Sequence, residues 1–204
     1  MGIVMRYLVC LVLFSLFGCS HQIAITKVAE AQVKPALDNS NSMIESKAES
    51  PVKVIGYFTN VKGDGEHQWG YSVMIWKQED KIYGFISGDD DLRLIGDPPT
   101  GVLENVQFDP KTKRLSFRAK LSTGLIGDKV WSRDVYEFDG VLTNKKLKGN
   151  IKVTNQLCAE NCAKPKMITL RYSNDMTLTM QEYQSYAEWK SFADEILKFR
   201  GPKW

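Results

Sequence analysis

Histidine is nearly absent from this chain: His21 and His67 are the only two in 204 residues. A Ser-His-Asp or Cys-His mechanism would have to run through His67, in the glycine-rich loop Lys62-Gly63-Asp64-Gly65-Glu66-His67, because His21 lies in a stretch with no apolar period. Cysteine is scarce too. Of Cys10, Cys19, Cys158 and Cys162, the last pair has no histidine nearby to complete a zinc site, and its three-residue spacer is wrong for a thioredoxin-like redox pair. No apolar run reaches the roughly 20 residues of a spanning helix. Nor does one charge dominate: 27 basic residues face 24 acidic ones, without the strongly basic balance of a nucleic-acid binder. These absences point away from an enzyme, a metal centre, a cofactor and a nucleic-acid partner.

At the N-terminus, Arg6 precedes a charge-free apolar stretch from Tyr7 to Phe17, the length of a signal peptide. It closes on Leu16-Phe17-Gly18-Cys19, which resembles the bacterial lipobox. The resemblance implies that residues 1–18 are removed and that Cys19 becomes the acylated first residue. Acyl chains contribute about 0.8 kcal/mol per buried methylene, so the anchor needs no spanning helix. Ser20 resembles the outer-membrane sorting pattern, which implies a Gram-negative envelope and the outer membrane, on its periplasmic or surface side. In such an oxidising compartment Cys158 and Cys162 are expected to close a small disulfide loop, Cys-Ala-Glu-Asn-Cys. At about 2 kcal/mol, that ring shapes a loop more than it holds a fold.

Residues 19–50 lack aromatic residues and sustained apolar periodicity, which predicts a disordered tether behind the lipidated cysteine. Residues 51–204 hold nearly all the aromatics and suffice for one core.

Within that domain, alternation is clearest from Arg114 to Leu121, where Leu115, Phe117, Ala119 and Leu121 share one face. Tyr136, Phe138, Gly140 and Leu142 repeat the pattern, as do Leu147, Gly149, Ile151 and Val153, with Asn144-Lys145 as a tight hairpin between the two. The same reading predicts eight strands, at 52–59, 69–78, 82–88, 101–108, 114–121, 131–143, 146–154 and 166–174. Their connectors alternate long and short, so an antiparallel up-and-down meander collects the four long loops on one rim and the three tight turns on the other. Closure into a barrel, which would remove exposed edges, is the preferred reading over a curved open sheet or a sandwich.

Thr179-Met180-Gln181-Glu182 has capping-box spacing and Arg200-Gly201-Pro202 supplies a stop, which predicts a helix over 180–199. Its apolar side comprises Tyr183, Tyr186, Phe192, Ile196 and Phe199. The first three strands are apolar on both faces: Ile55 and Tyr57 oppose Val54 and Phe58, Met74 and Trp76 oppose Val73 and Ile75, and Tyr83 and Phe85 oppose Ile82 and Ile86. Their outer face needs a cover, and the helix is the obvious one.

An eight-stranded meander followed by a helix resembles the lipocalin-like, or calycin-like, barrels over residues 51–199, in topology only. Gly56-Tyr57-Phe58 stands roughly where lipocalins carry Gly-x-Trp, with Phe58 in the tryptophan's place. The resemblance implies a carrier of small apolar ligands, or an inhibitory or scavenging module.

Two features of the long-loop rim invite a functional reading. Gly-Asp recurs at Gly63-Asp64, Gly96-Asp97 and Gly127-Asp128, and Asp89-Asp90-Asp91 adds charge at the same end without EF-hand spacing. These pairs are either turn chemistry or acidic groups converging on a cation or a basic partner. Asp134 shares parity with Tyr136 and Phe138, so it should point inward near the mouth, where it either orients a ligand's polar group or is paired structurally.

Two functional classes follow. In one, a membrane-anchored, non-enzymatic binding module receives a small apolar ligand or a lipid at a long-loop mouth lined by Trp69, Leu125, Trp131 and Asp134. In the other, the barrel is filled and the same rim binds an envelope protein, as an inhibitor or assembly factor. Gly84, Gly140 and Gly149 argue for interior space; Phe117, Tyr136 and Phe138 could fill it.

Overall fold

A computed structural model describes residues 49–63, 67–89, 98–126, 130–157 and 164–204. The lipobox with Cys19, most of the tether, Cys158 and Cys162, and Asp64, Asp90, Asp91, Gly96, Asp97, Gly127 and Asp128 of the loop motifs lie outside the described residues.

The chain is mainly β. Strands β1 (Lys53–Thr59), β2 (Gly70–Gln78), β3 (Lys81–Asp89), β4 (Thr100–Val102), β5 (Glu104–Asp109), β6 (Arg114–Leu121), a separate hairpin of β7 (Leu125–Ile126) and β8 (Val130–Trp131), β9 (Asp134–Leu142), β10 (Lys146–Asn155) and β11 (Lys166–Ser173) precede helices α1 (Asn174–Leu178) and α2 (Tyr186–Arg200). Nine of the strands form one antiparallel sheet in the order β4-β3-β2-β1-β11-β10-β9-β6-β5. First and last strands meet through Tyr57↔Ser173, Phe58↔Tyr172 and Thr59↔Arg171. The two ends of this ladder, β4 and β5, are consecutive in the chain, so the sheet wraps into a nearly closed barrel whose seam lies at Leu103.

That seam is the main departure from eight strands. The expected strand over 101–108 is two: β4 pairs with β3, whereas β5 pairs with β6. A glycine and a strained asparagine explain the break. A side chain on Gly101 would meet the Lys120 carbonyl at 2.4 Å, so only glycine lets β4 come this close to β6. Asn105 sits at a φ of 51° beside a register shift in β5. The expected strand over 131–143 is also divided, because Trp131 belongs to the β7–β8 hairpin and the barrel strand starts at Asp134.

Inside the barrel, Phe58, Val73, Ile75, Ile82, Ile86, Leu115, Phe117, Leu121, Phe138, Leu147, Ile151 and Leu170 form one packed apolar cluster. Neighbouring side chains close over the inward glycines. Gly140 and Gly149 are register partners, and the Phe138 ring lies across both, its Cζ 2.6 Å and 2.8 Å from where their Cβ atoms would stand. The same ring stacks on Phe117 with centroids 5.1 Å apart. Leu103 covers Gly84 in the same manner, its amide donating to the Gly84 carbonyl at 2.9 Å.

Outside β1–β4, α2 covers a second cluster centred on Trp76, Phe85 and Trp189, with Val52, Tyr183 and Ala193 buried beside them. Trp76 touches the rings of Phe85, Tyr183, Trp189 and Phe192, and its Nε1 donates to the Gln181 carbonyl at 2.8 Å. The helix starts at Tyr186 rather than 180: Ser185 Oγ accepts from the Glu188 amide, and Glu188 Oε2 accepts from the Gln184 amide at 2.9 Å. Ser185 and Glu188 thus cap the helix, not Thr179 and Glu182. Trp189, not Phe199, centres its buried side; Phe199 is 68% exposed. One parity also changes. A bulge between Val54 and Gly56, with Gly56 at a φ of 152°, turns Val54 toward the helix layer and Ile55 toward the interior cluster.

Candidate functional site

The four residues expected to line a long-loop mouth do different things. Trp69 is held in a narrow bridge with Lys62 by two 3.0 Å backbone bonds, and is half exposed beside Asn60, Lys62, Tyr71 and Lys166 in a cleft of about 330 Å³. Neither Trp131 nor Asp134 borders that cleft. Trp131 pairs with Leu125 in the β7–β8 hairpin and is itself half exposed. Asp134 is buried at 5% exposure, with its carboxylate engaged by protein donors. Its Oδ2 accepts from Ser132 Oγ at 2.5 Å, Thr123 Oγ1 at 2.7 Å and the Thr123 amide at 3.2 Å, while Oδ1 accepts from Asn155 Nδ2 at 3.1 Å. A buried carboxylate with four donors is a strut that pins residues 123 and 132 to the barrel.

A larger opening lies at the other end. A cavity of about 500 Å³ enters the barrel at the tight-turn rim, lined by Val54, Ile55, Lys77, Ile82, Phe108, Lys113, Leu142, Thr143 and Asn144. Its floor is the lower edge of the interior cluster, where Ile82 and Leu142 are buried and Ile55 and Phe108 are packed against them. The opening arises where pairing runs out. Only the last three residues of β1 pair with β11, and the chain then turns into α1, whose Thr177 Oγ1 accepts the Tyr57 amide at 2.9 Å.

Two lysines line this cavity. Lys77 has the parity of Val73 and Ile75, so its stem points inward, and its Nζ lies 5.9 Å from the Phe108 ring centroid. Asp80, largely exposed, is its loose ion partner at 3.9 Å. Lys113 ends the tight turn before β6 at a φ of 61°, a left-handed conformation that favours glycine. The turn holds it there: Asp109 accepts from Thr112 Oγ1 at 2.7 Å and the Lys111 amide at 2.8 Å, and the Lys113 carbonyl accepts from the Leu142 amide at 2.9 Å. The Thr112 hydroxyl and the Lys111 amide hold the Asp109 carboxyl below its ordinary range.

Sequence reasoning missed this site, although a signal was present. Lys77 is as out of place by parity beside Val73 and Ile75 as Asp134 is beside Tyr136 and Phe138. The first described residues reach the same end, with Gln78 Nε2 donating to the Ser50 carbonyl at 2.6 Å and to Glu49 Oε1 at 3.0 Å. Among the described residues no group of three or more His, Cys, Asp or Glu could hold a metal ion, and no helix is long and apolar enough to cross a membrane. No protein-family model, curated protein or solved structure matches this chain.

Proposed function

We propose that the protein is a lipid-anchored lipoprotein of the Gram-negative outer membrane acting as a non-enzymatic binding module, and that its cavity at the tight-turn end takes the apolar part of a small ligand or lipid. The observation that carries this reading is the cavity itself. Its volume falls within the roughly 300–1,000 Å³ of small-molecule sites, and its lining is apolar with a few polar groups at the lip. The packed interior leaves the lip, rather than a hollow barrel, as the place to bind.

Native mass spectrometry of the full-length protein from its own host is the test. A retained small molecule, lost on Ile55→Trp, supports the carrier; a protein that retains none contradicts it. A second reading, an interaction module for an envelope protein, draws on the exposed Trp69, Val130 and Trp131 of the opposite rim. That reading expects one protein partner, displaced by Trp69→Ala or Trp131→Ala and indifferent to Ile55→Trp.

A further inference from the structure

We infer that the tight-turn cavity selects an anionic single-chain amphiphile, its acid group held between Lys77 and Lys113 and its chain lying over Ile55, Ile82, Phe108 and Leu142. This rests on the binding-module reading and adds to it the chemistry of the ligand.

A strand residue that points inward at the edge of an apolar core is ordinarily apolar, yet β2 ends its inward series Val73, Ile75 with a lysine. Its aliphatic stem passes Phe108 and delivers the ammonium to the cavity lip. The backbone of Lys113 points the same way. A glycine would relieve the left-handed conformation at that turn, and a lysine occupies it instead, lining the same cavity. Residues kept in strained conformations concentrate at binding sites.

The surroundings favour an anion over a neutral ligand. Asp109 is engaged by its own turn, and Asp80 is 86% exposed at the far limit of an ion pair with Lys77. Neither acid lines the cavity. An incoming carboxylate or phosphate therefore adds charge-assisted hydrogen bonds at the edge of an apolar floor. A carboxylate, as on a free fatty acid, and a phosphate monoester, as on a lysophosphatidate, share the anionic head that two lysines would hold.

Titration calorimetry at low salt, on the mature chain from residue 19 carrying Cys19→Ser so that neither signal segment nor acyl anchor competes, tests the inference with decanoate, decyl phosphate and decanol. One or both anions should bind at least fivefold tighter than decanol, and the tighter anion identifies the head. Affinity should rise by up to about fourfold per added methylene until the floor is covered. Lys77→Met and Lys113→Gly should each erase most of the anion preference, read as the ratio of anion to decanol affinity within the same variant. Equal binding of all three probes, or a preference untouched by both substitutions, would overturn the acid selectivity and leave the apolar cavity standing. No binding of any probe would overturn both. Lys113→Gly guards against misfolding, because the same substitution should raise the melting temperature.

Discussion

Asp134 and Asn155 are the last register pair of β9 and β10, and their side chains meet in a 3.1 Å hydrogen bond from Asn155 Nδ2 to Asp134 Oδ1. With Ser132 and Thr123 on the other oxygen, the pair ties the long-loop rim to the barrel wall. Asp134→Ala should therefore cost about 3 kcal/mol of stability, the loss of charge-assisted bonds in a buried site. Chemical denaturation reads this directly. Ligand binding at the tight-turn end should be unchanged at temperatures where the variant is folded; a fully stable variant that loses binding would return Asp134 to a ligand role.

Gly149 faces Gly140 with Phe138 across both, and a Cβ on Gly149 would come within 2.5 Å of the Gly140 Cα. Gly149→Ala should destabilise the barrel by about 2 kcal/mol, because the clash is with backbone and with a ring already stacked on Phe117. Gly124→Ala, which meets nothing within 4 Å, is the control and should change little.

Tyr183 anchors the helix layer through paired backbone bonds with Val52, and its hydroxyl is buried without a hydrogen-bond partner among the described residues. Burial pushes this phenol up to about 12. The unfolded phenol ionises near 10, so the native state holds its proton through a window in which the unfolded state releases it. Stability is thus intact below pH 10 and declines by up to about 2 kcal/mol as pH rises to 12. Tyr183→Phe should remove that contribution to the alkaline decline and should be neutral or stabilising at pH 7, since it deletes an unsatisfied hydroxyl. Thermal melts between pH 7 and 12 check both statements.

Lys113→Gly should stabilise the protein by about 1 kcal/mol by relieving the left-handed turn. The wild-type lysine is then a stability cost, and the anion-binding loss expected of the same variant gives that cost a use. A variant that gains no stability would show that the turn holds Lys113 without strain.

Much of the architecture is legible in one dimension. Alternation between Arg114 and Leu121 fixes which side chains face inward, because the pleat sends successive residues to opposite sides. The two-faced apolarity of β2 and β3, with Trp76 and Phe85 opposite Ile75 and Ile86, announces a covering element before any helix is placed. Alternating connector lengths order the strands as neighbours, and the pairing follows that order around the barrel. Capping is less secure from spacing alone: Thr179 and Glu182 match the pattern as well as Ser185 and Glu188, and only the backbone geometry of Ser185 separates them.

What the sequence by itself determined is the strand order, the inward set and the need for an outer helix, since each follows from local periodicity and loop length. Only the tertiary structure decided where the barrel opens. The break at Leu103, the bulge before Gly56 and the rings laid across inward glycines depend on atoms far apart in the chain coming within van der Waals contact. Those contacts pack the interior, satisfy Asp134 at one rim and leave an apolar cavity lined by Lys77 and Lys113 at the other.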